Sequence, residues 1–222
     1  MLASWFPNVD WAEIGQGLLD TLTMLGGSLV LTALLGLPLG VLLFLTSKRQ
    51  ALEQRGFHLV LSLLVNVLRS VPFIILMILL IPLTKAIMGT SLGVAGAIVP
   101  LVIGTAPFYA RLVETALREI DRGIIEASQA MGATTGQIVS KVLLPEALPG
   151  LVAGLTVTAI ALVSYTAMGG TIGSGGLGDL AYRYGYQRNQ NDVTFVTVVL
   201  LLVLVQVLQL VGDRLVVAFS RR

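Results

Sequence analysis

An α-helix needs about 20 predominantly apolar residues to cross the hydrocarbon core of a bilayer. This sequence meets that requirement five times, at Thr21–Thr46, Leu59–Leu83, Leu92–Ala110, Ala147–Met168 and Val193–Phe219. Segments of this kind cannot all be buried inside one another in water. Composition agrees, with 55% hydrophobic and 12% charged residues in 222, against about a quarter charged in ordinary soluble domains. The fold class expected is therefore an all-α membrane protein with five transmembrane helices. Gly26, Gly27, Gly36 and Pro38 interrupt the first span, and Asn66, Arg69 and Pro72 the second. Such residues are tolerated where neighbouring helices pack closely.

The chain has no cysteine, so disulfides and cysteine-ligated metals are excluded. Its net charge of +2 gives no footprint for nucleic acid. The N-terminus carries no Lys or Arg ahead of the first apolar run, unlike a signal peptide, so the first span is expected to remain in the mature protein. Orientation follows from Lys and Arg. With the N-terminus outside, the inner segments hold ten of them and the outer loops three (Lys85, Arg183 and Arg188), which favours N-out and C-in. Trp5, Phe6 and Trp11 suit an outer interfacial belt. The expected organisation is an interfacial segment over 1–20 and one membrane domain over 21–219, in contact with lipid.

Two connections are long, an inner one at 111–146 and an outer one at 169–192, and function concentrates in such loops. The inner one contains "EASQAMGATTGQIVSKVLLPEALPG" at 126–150. Asp121 can cap a helix, and Gly132 fits the position just beyond its end. Ile124, Ala127 or Ser128, and Met131 fall on one face at helical spacing. Thr134 and Gln137 form a capping box that starts a second helix, with an apolar stripe to Val142 and Leu143 and a stop at Pro145. Two short helices joined by a glycine bend are expected. Helices this short need a surface to pack on. That surface is either lipid or a protein groove, and the scarcity of Lys and Arg on the exposed side argues for the groove.

These residues carry a resemblance. Permease subunits of ATP-binding-cassette importers share a cytoplasmic signature of Glu-Ala-Ala, three residues, Gly, nine residues, Ile, one residue, Leu-Pro. The chain has Glu126-Ala127-Ser128, Gly132, Val142 and Leu144-Pro145 at those spacings, with Ser128 and Val142 as the departures. It is similar to type I importer permeases. "RSVPFIIL" at 69–76, "IGTAPFYARLVE" at 103–114, "EIDRGIIEASQAMGA" at 119–133 and "YTAMGGTIGSGGLGDLAYRYGYQR" at 165–188 resemble the methionine-importer branch. The resemblance implies a type I permease fold with a cytoplasmic coupling helix, and amino-acid transport across a bacterial inner membrane. It implies a homodimeric pore, two ATPase subunits that bind the ATP and Mg, and an external substrate-binding lipoprotein. The seven signature residues become the ATPase-coupling contacts.

Other features are weighed against blander readings. "GSGGLG" at 173–178 satisfies G-x-G-x-x-G, but lies between spans rather than in a βαβ unit, and no Gly-Lys-Ser/Thr occurs. It is expected to form a flexible outer loop. Tyr182, Arg183, Tyr184, Tyr186 and Arg188 then become candidates for docking the binding protein, or interfacial residues of an ordinary loop. Arg69 is costly facing lipid, so it either lines the pathway or snorkels to the surface. Tyr165 and Met168 are gate candidates, because the resemblance places the fourth span beside the pathway. His58 has no second histidine to share a metal, and no nucleophile and base gather in the sequence, so neither catalysis nor a metal site is expected in this chain. The rival is a self-sufficient channel or secondary transporter, which would show inverted repeats or carboxylates in the apolar cores of the spans.

Overall fold

The computed structural model describes residues 6–220, and all the regular structure in it is helical. Four helices are long and apolar enough to cross a membrane, or five if a bent pair counts as one span. Helix α1 (Trp11–Thr46) is capped by Asp10, whose side chain accepts from the Ala12 and Glu13 N–H groups. It begins well before the expected Thr21, so half of the 1–20 segment set aside as interfacial is helical. Trp5 and the other residues before Phe6 lie outside the described residues.

The second apolar run is not one straight helix. Helices α2 (Arg55–Ser70) and α3 (Phe73–Leu79) meet at 104°, and α4 (Ile81–Met88) follows. Pro72 disfavours the helical region for the residue before it, and Val71 is extended at φ −77°, ψ 126°. Helix α5 (Gly93–Arg118) runs on past Ala110, where the apolar run ends. It packs on α1 through small residues four apart, where backbones approach closely. A Cβ at Gly36 would lie 2.9 Å from the Ala106 carbonyl, and one at Gly40 2.5 Å from that of Ala110. One turn earlier the Thr32 and Thr105 hydroxyls bond at 2.6 Å.

Beyond α5 come α6 (Arg122–Ala130) and α7 (Thr135–Ile138), then a wide π turn (Val139–Leu143) leading directly into α8 (Leu144–Gly170). The expected stop at Pro145 does not occur. The Leu144 N–H reaches back five residues to the Val139 carbonyl. The proline, which has no N–H to contribute, therefore falls where the ladder changes register. The second short helix is thus the first part of a helical stretch that reaches Gly170. Helix α9 (Gly176–Leu180), a second π turn (Ala181–Tyr186) and α10 (Asn191–Ser220) complete the chain. Helix α10 passes unbroken through Asp213, which accepts from Gln209 at 2.8 Å.

The two largest apolar clusters fill the two halves of the bundle. Phe44, Tyr109, Leu117 and Leu143 pack toward the end bearing α6, called the connector end below. Met24, Phe73, Leu101 and Leu162 pack in the other half. The outward faces of α2 and α10 are apolar and exposed, with Leu63, Val67, Leu202 and Leu210 among them. Exposed apolar faces combined with internally satisfied helical backbones suit lipid or another membrane helix.

The connection at 169–192, expected to be a flexible loop, is largely helical and its glycine-rich part packs on the bundle. Gly175 and Gly176 adopt φ +79° and +83°, a region open to glycine at little cost. They bring α9 against α1, where the Leu177 N–H donates to Thr21 Oγ1 at 2.9 Å. The Gly178 backbone lies directly on that of Ala167, and Gly170 on Asp179. Every residue of α9 is buried. Glycine here permits close packing.

Candidate functional site

At the connector end, Asp121 caps α6 by accepting from the Gly123 N–H at 2.6 Å. Gly132 closes the helix at φ +81°, with the Ala133 N–H bonded to the Ser128 carbonyl at 3.1 Å. The capping box forms as expected between Thr134 and Gln137. The apolar face divides, however. Ser128 is buried and donates to the Ile124 carbonyl at 2.8 Å. Ile125, Ala133 and Val139 lean on the cluster formed by Ile138 and Leu143. Ile124, Ala127 and Met131 face outward, and Met131 is 81% exposed. Glu126 stands beside them, 3.8 Å from Arg122, a surface pair of little energetic weight. Val142 and Leu144 are half-buried and Pro145 is exposed.

Behind this surface is a charged network, on the part of α5 that continues past the apolar run. Glu114 is 4% exposed. It receives Arg111 Nη1 at 2.6 Å and Arg118 Nη2 at 2.6 Å. Arg111 also reaches α2, donating to the Ser62 hydroxyl and to Asn66 Oδ1 at 3.1 Å. A buried carboxylate held by two guanidiniums fixes α5 to α2 at the connector end. The signal was present in the sequence, since Arg111, Glu114 and Arg118 have the i,i+3 and i,i+4 spacing of helical ion pairs.

A partly open cavity of about 230 Å³ lies where α2, α3, α5 and α8 meet, with Arg69 exposed at its edge. Arg69, Phe73, Gly104, Phe108 and Tyr165 line it. Two candidates far apart in sequence, Arg69 and Tyr165, thus share one wall system. The Arg69 guanidinium lies 5.7 Å from the Phe108 ring centre. Phe73 and Tyr165 stack with centroids 4.4 Å apart and planes inclined by 7°. Gly104 makes room for that pair, since a Cβ there would come within 3.3 Å of the Phe73 ring. Met168 does not line the cavity; it is one turn further along α8 and exposed.

The five candidates at the opposite end differ in availability. Arg183 is engaged within the chain, with Nη2 at 2.6 Å from Asp179 and at 3.6 Å from Glu13. The hydrogen bond it donates to the Asp179 carboxylate pushes its pKa above the ordinary guanidinium value. The Tyr184 hydroxyl donates to Glu13 at 3.0 Å, and Arg188 lies over the Tyr184 ring at 4.6 Å. Tyr182 and Tyr186 stack with centroids 5.8 Å apart, leaving Tyr186 78% exposed.

The sequence pattern of a family described as the inner membrane component of binding-protein-dependent transport systems matches residues 36–222. The chain belongs to this family. Among its relatives, the methionine import system permease protein MetP of Bacillus subtilis is 50% identical over 222 residues, all of both chains. The D-methionine transport system permease protein MetI of Escherichia coli (strain K12) is 54% identical over 155 residues, covering 70% of this chain and 71% of that one. Among solved structures, a chain of the MetNI methionine ABC transporter in an inward-facing conformation superposes with a TM-score of 0.90 at 50% identity. That match covers 93% of this chain and 96% of the other.

Proposed function

We propose that this chain is the permease subunit of an ATP-driven methionine importer in a bacterial inner membrane. The observation that carries the reading is 50% identity to a methionine import permease across the full length of both chains. The connector end then faces the cytoplasm, in keeping with its share of Lys and Arg, and the α9 end faces outward. The bent pair α2–α3 completes five spans. The domain assignment is one membrane domain through 219 with only a short segment ahead of α1. Two copies form the pore. Two ATPase subunits hold ATP and Mg, and a binding protein delivers methionine from outside.

The chemistry asked of this chain is mechanical. The outward knobs Ile124, Ala127 and Met131, with Glu126 beside them, seat in an ATPase groove. Glu126, Ala127, Ser128, Gly132, Val142, Leu144 and Pro145 act together, some by contact and some by shape. Ser128 and Gly132 fix how α6 sits on the bundle. The α6–α8 stretch is helical almost throughout, so movement of the groove reaches α8 and with it Tyr165 and Met168. Closure of the ATPases on ATP favours one of two packings of the bundle, which is how ligand binding elsewhere opens a path here.

The test is uptake into liposomes containing the permease, its ATPase subunits and its binding protein. ATP-dependent accumulation of methionine, outcompeted by methionine and not by a dissimilar amino acid or a peptide, is the expected result. Accumulation without the ATPase subunits would instead identify a self-sufficient carrier.

A further inference from the structure

The cavity at the α2–α3 break has a composition that transport alone does not require. Arg69 forms no ion pair among the described residues, although three carboxylate–guanidinium contacts occur elsewhere within helices α5 and α6. Arg69 is exposed at the edge of the cavity, so its guanidinium is open to an anionic ligand that enters there. Its planar fork matches a carboxylate in two-point geometry. Phe108 lies under it, and the stacked Phe73–Tyr165 pair lines the same cavity. Aromatic rings accept thioethers and methylenes well. At about 230 Å³ the cavity falls below the roughly 300 Å³ at which drug-sized pockets begin, so it suits one amino acid rather than a peptide.

We propose that this cavity is a binding site for the transported amino acid inside the permease, with Arg69 holding the α-carboxylate and the Phe73, Tyr165 and Phe108 rings holding the apolar side chain. The proposal rests on the reading that the chain is a methionine permease. It adds a second point of selection beyond any external binding protein. Four separate elements build the site, and α3 joins it through a sharp bend. A shift of α8 relative to α3 therefore changes its walls, which gives a route from the connector to release. The lining residues include a cation and no Asp or Glu. The site consequently reads the carboxylate and leaves the ammonium to water and ring faces. A ligand lacking the carboxylate charge is rejected, and one lacking the ammonium charge is accepted.

The experiment uses the assembled permease–ATPase complex in nanodiscs without binding protein. Equilibrium binding of radiolabelled L-methionine is measured, and binding to the ATPase subunits alone is subtracted. N-acetyl-L-methionine and L-methionine methyl ester serve as competitors. N-acetyl-L-methionine is expected to displace the label, and the methyl ester is not. Arg69→Gln lowers affinity by about tenfold or more, the scale of a lost hydrogen-bonded charge pair, and abolishes the discrimination between competitors. Arg69→Lys keeps the discrimination with weaker binding. Tyr165→Leu weakens binding and leaves the discrimination intact. Absence of methionine binding to the wild-type complex overturns the proposal, as does unchanged binding and discrimination in Arg69→Gln. If Arg69→Gln fails to assemble, Arg69→Lys and Phe108→Leu decide it, because wild-type affinity in both overturns it equally. Methionine uptake by the same wild-type complex with its binding protein separates the two failures. Uptake without binding in the cavity removes this site alone, whereas no methionine uptake removes the transport reading.

Discussion

The two long polar connections are built on opposite plans. The outer one folds its glycines inward, so that Gly176 meets Thr21 and Met24 and Gly178 meets the backbone of Ala167. The inner one turns Met131 and Ile124 outward, and nothing lies within 4 Å of where a Gly132 Cβ would stand. Both are glycine-containing interruptions between apolar runs, yet one is a plug within its own chain and the other leaves its apolar side chains exposed. Glycine content alone separates them poorly. What the glycine touches separates them well.

The largest expected effect breaks the plug. Gly178→Val drives a branched side chain into the backbone of α8, where neither side can yield. A destabilisation of roughly 4 kcal/mol or more is expected, at the upper end of single substitutions. Detergent-extracted protein should be absent or aggregated by size-exclusion chromatography. Gly132→Val meets open space and only the strain of positive φ, about 1–2 kcal/mol. It should extract as a folded protein with reduced uptake. Equal recovery of the two variants would erase the distinction between the ends.

Next comes the network that holds the connector end in place. Glu114→Gln leaves Arg111 with its Ser62 and Asn66 bonds but without its carboxylate. Breaking a buried pair costs about 3 kcal/mol, at the low end because Arg118 is nearly half-exposed. The melting temperature in detergent should fall, and Glu114→Asp should restore little because the shorter side chain cannot span both arginines. A melt unchanged in Glu114→Gln would show that the network is not what braces α5 on α2.

A smaller effect is expected at the outer end. Arg183→Glu removes the partner of Asp179 and Glu13, with a loss of about 1 kcal/mol for a pair partly open to water. Because Arg183 is occupied within the chain, a fall in binding-protein stimulation of ATP hydrolysis in this variant mixes docking with local unfolding. Tyr186→Ser is the cleaner probe, since its ring is mostly exposed. Lost stimulation with an unchanged melt places docking at Tyr186. Full stimulation in both variants moves docking elsewhere.

Legibility in the sequence followed the range of the interactions. Asp121, Gly132, Thr134 and Gln137 were readable because capping is a matter of a few neighbouring residues. The α1–α5 seam was visible only as scattered glycines, since its partner residues are some seventy positions away. Pro72 was noticed, but a proline limits Val71 and does not set a 104° angle; packing of α3 on α5 and α8 does. Pro145 does not end the helix, because a π turn upstream absorbs its missing donor. Glu114 was placed in a loop because the apolar run ends at Ala110. That end marks a change of surroundings, and the helix continues beyond it. The meeting of Arg69 with Tyr165 has no local trace at all.

The smallest expected effect on stability is at Met131, and it is the sharpest test of the contrast. The side chain is 81% exposed, so within this chain Met131→Glu removes almost no packing. Surface changes of this kind stay within about 0.5 kcal/mol, and the melt of the isolated permease should not move. If the residue is a knob for an ATPase groove, a charge there must be desolvated without a partner on binding, which is far costlier than its effect on folding. Co-purification of the ATPase subunits and ATP-driven uptake should then fall together. Glu126→Lys, five residues back and beside that face, should weaken the association less, because its present pair with Arg122 is solvent-screened. Wild-type association in Met131→Glu would show that α6 lies on lipid or on a second copy. The inner connection would then resemble the outer one after all, as a segment held by its immediate surroundings and not by a motor.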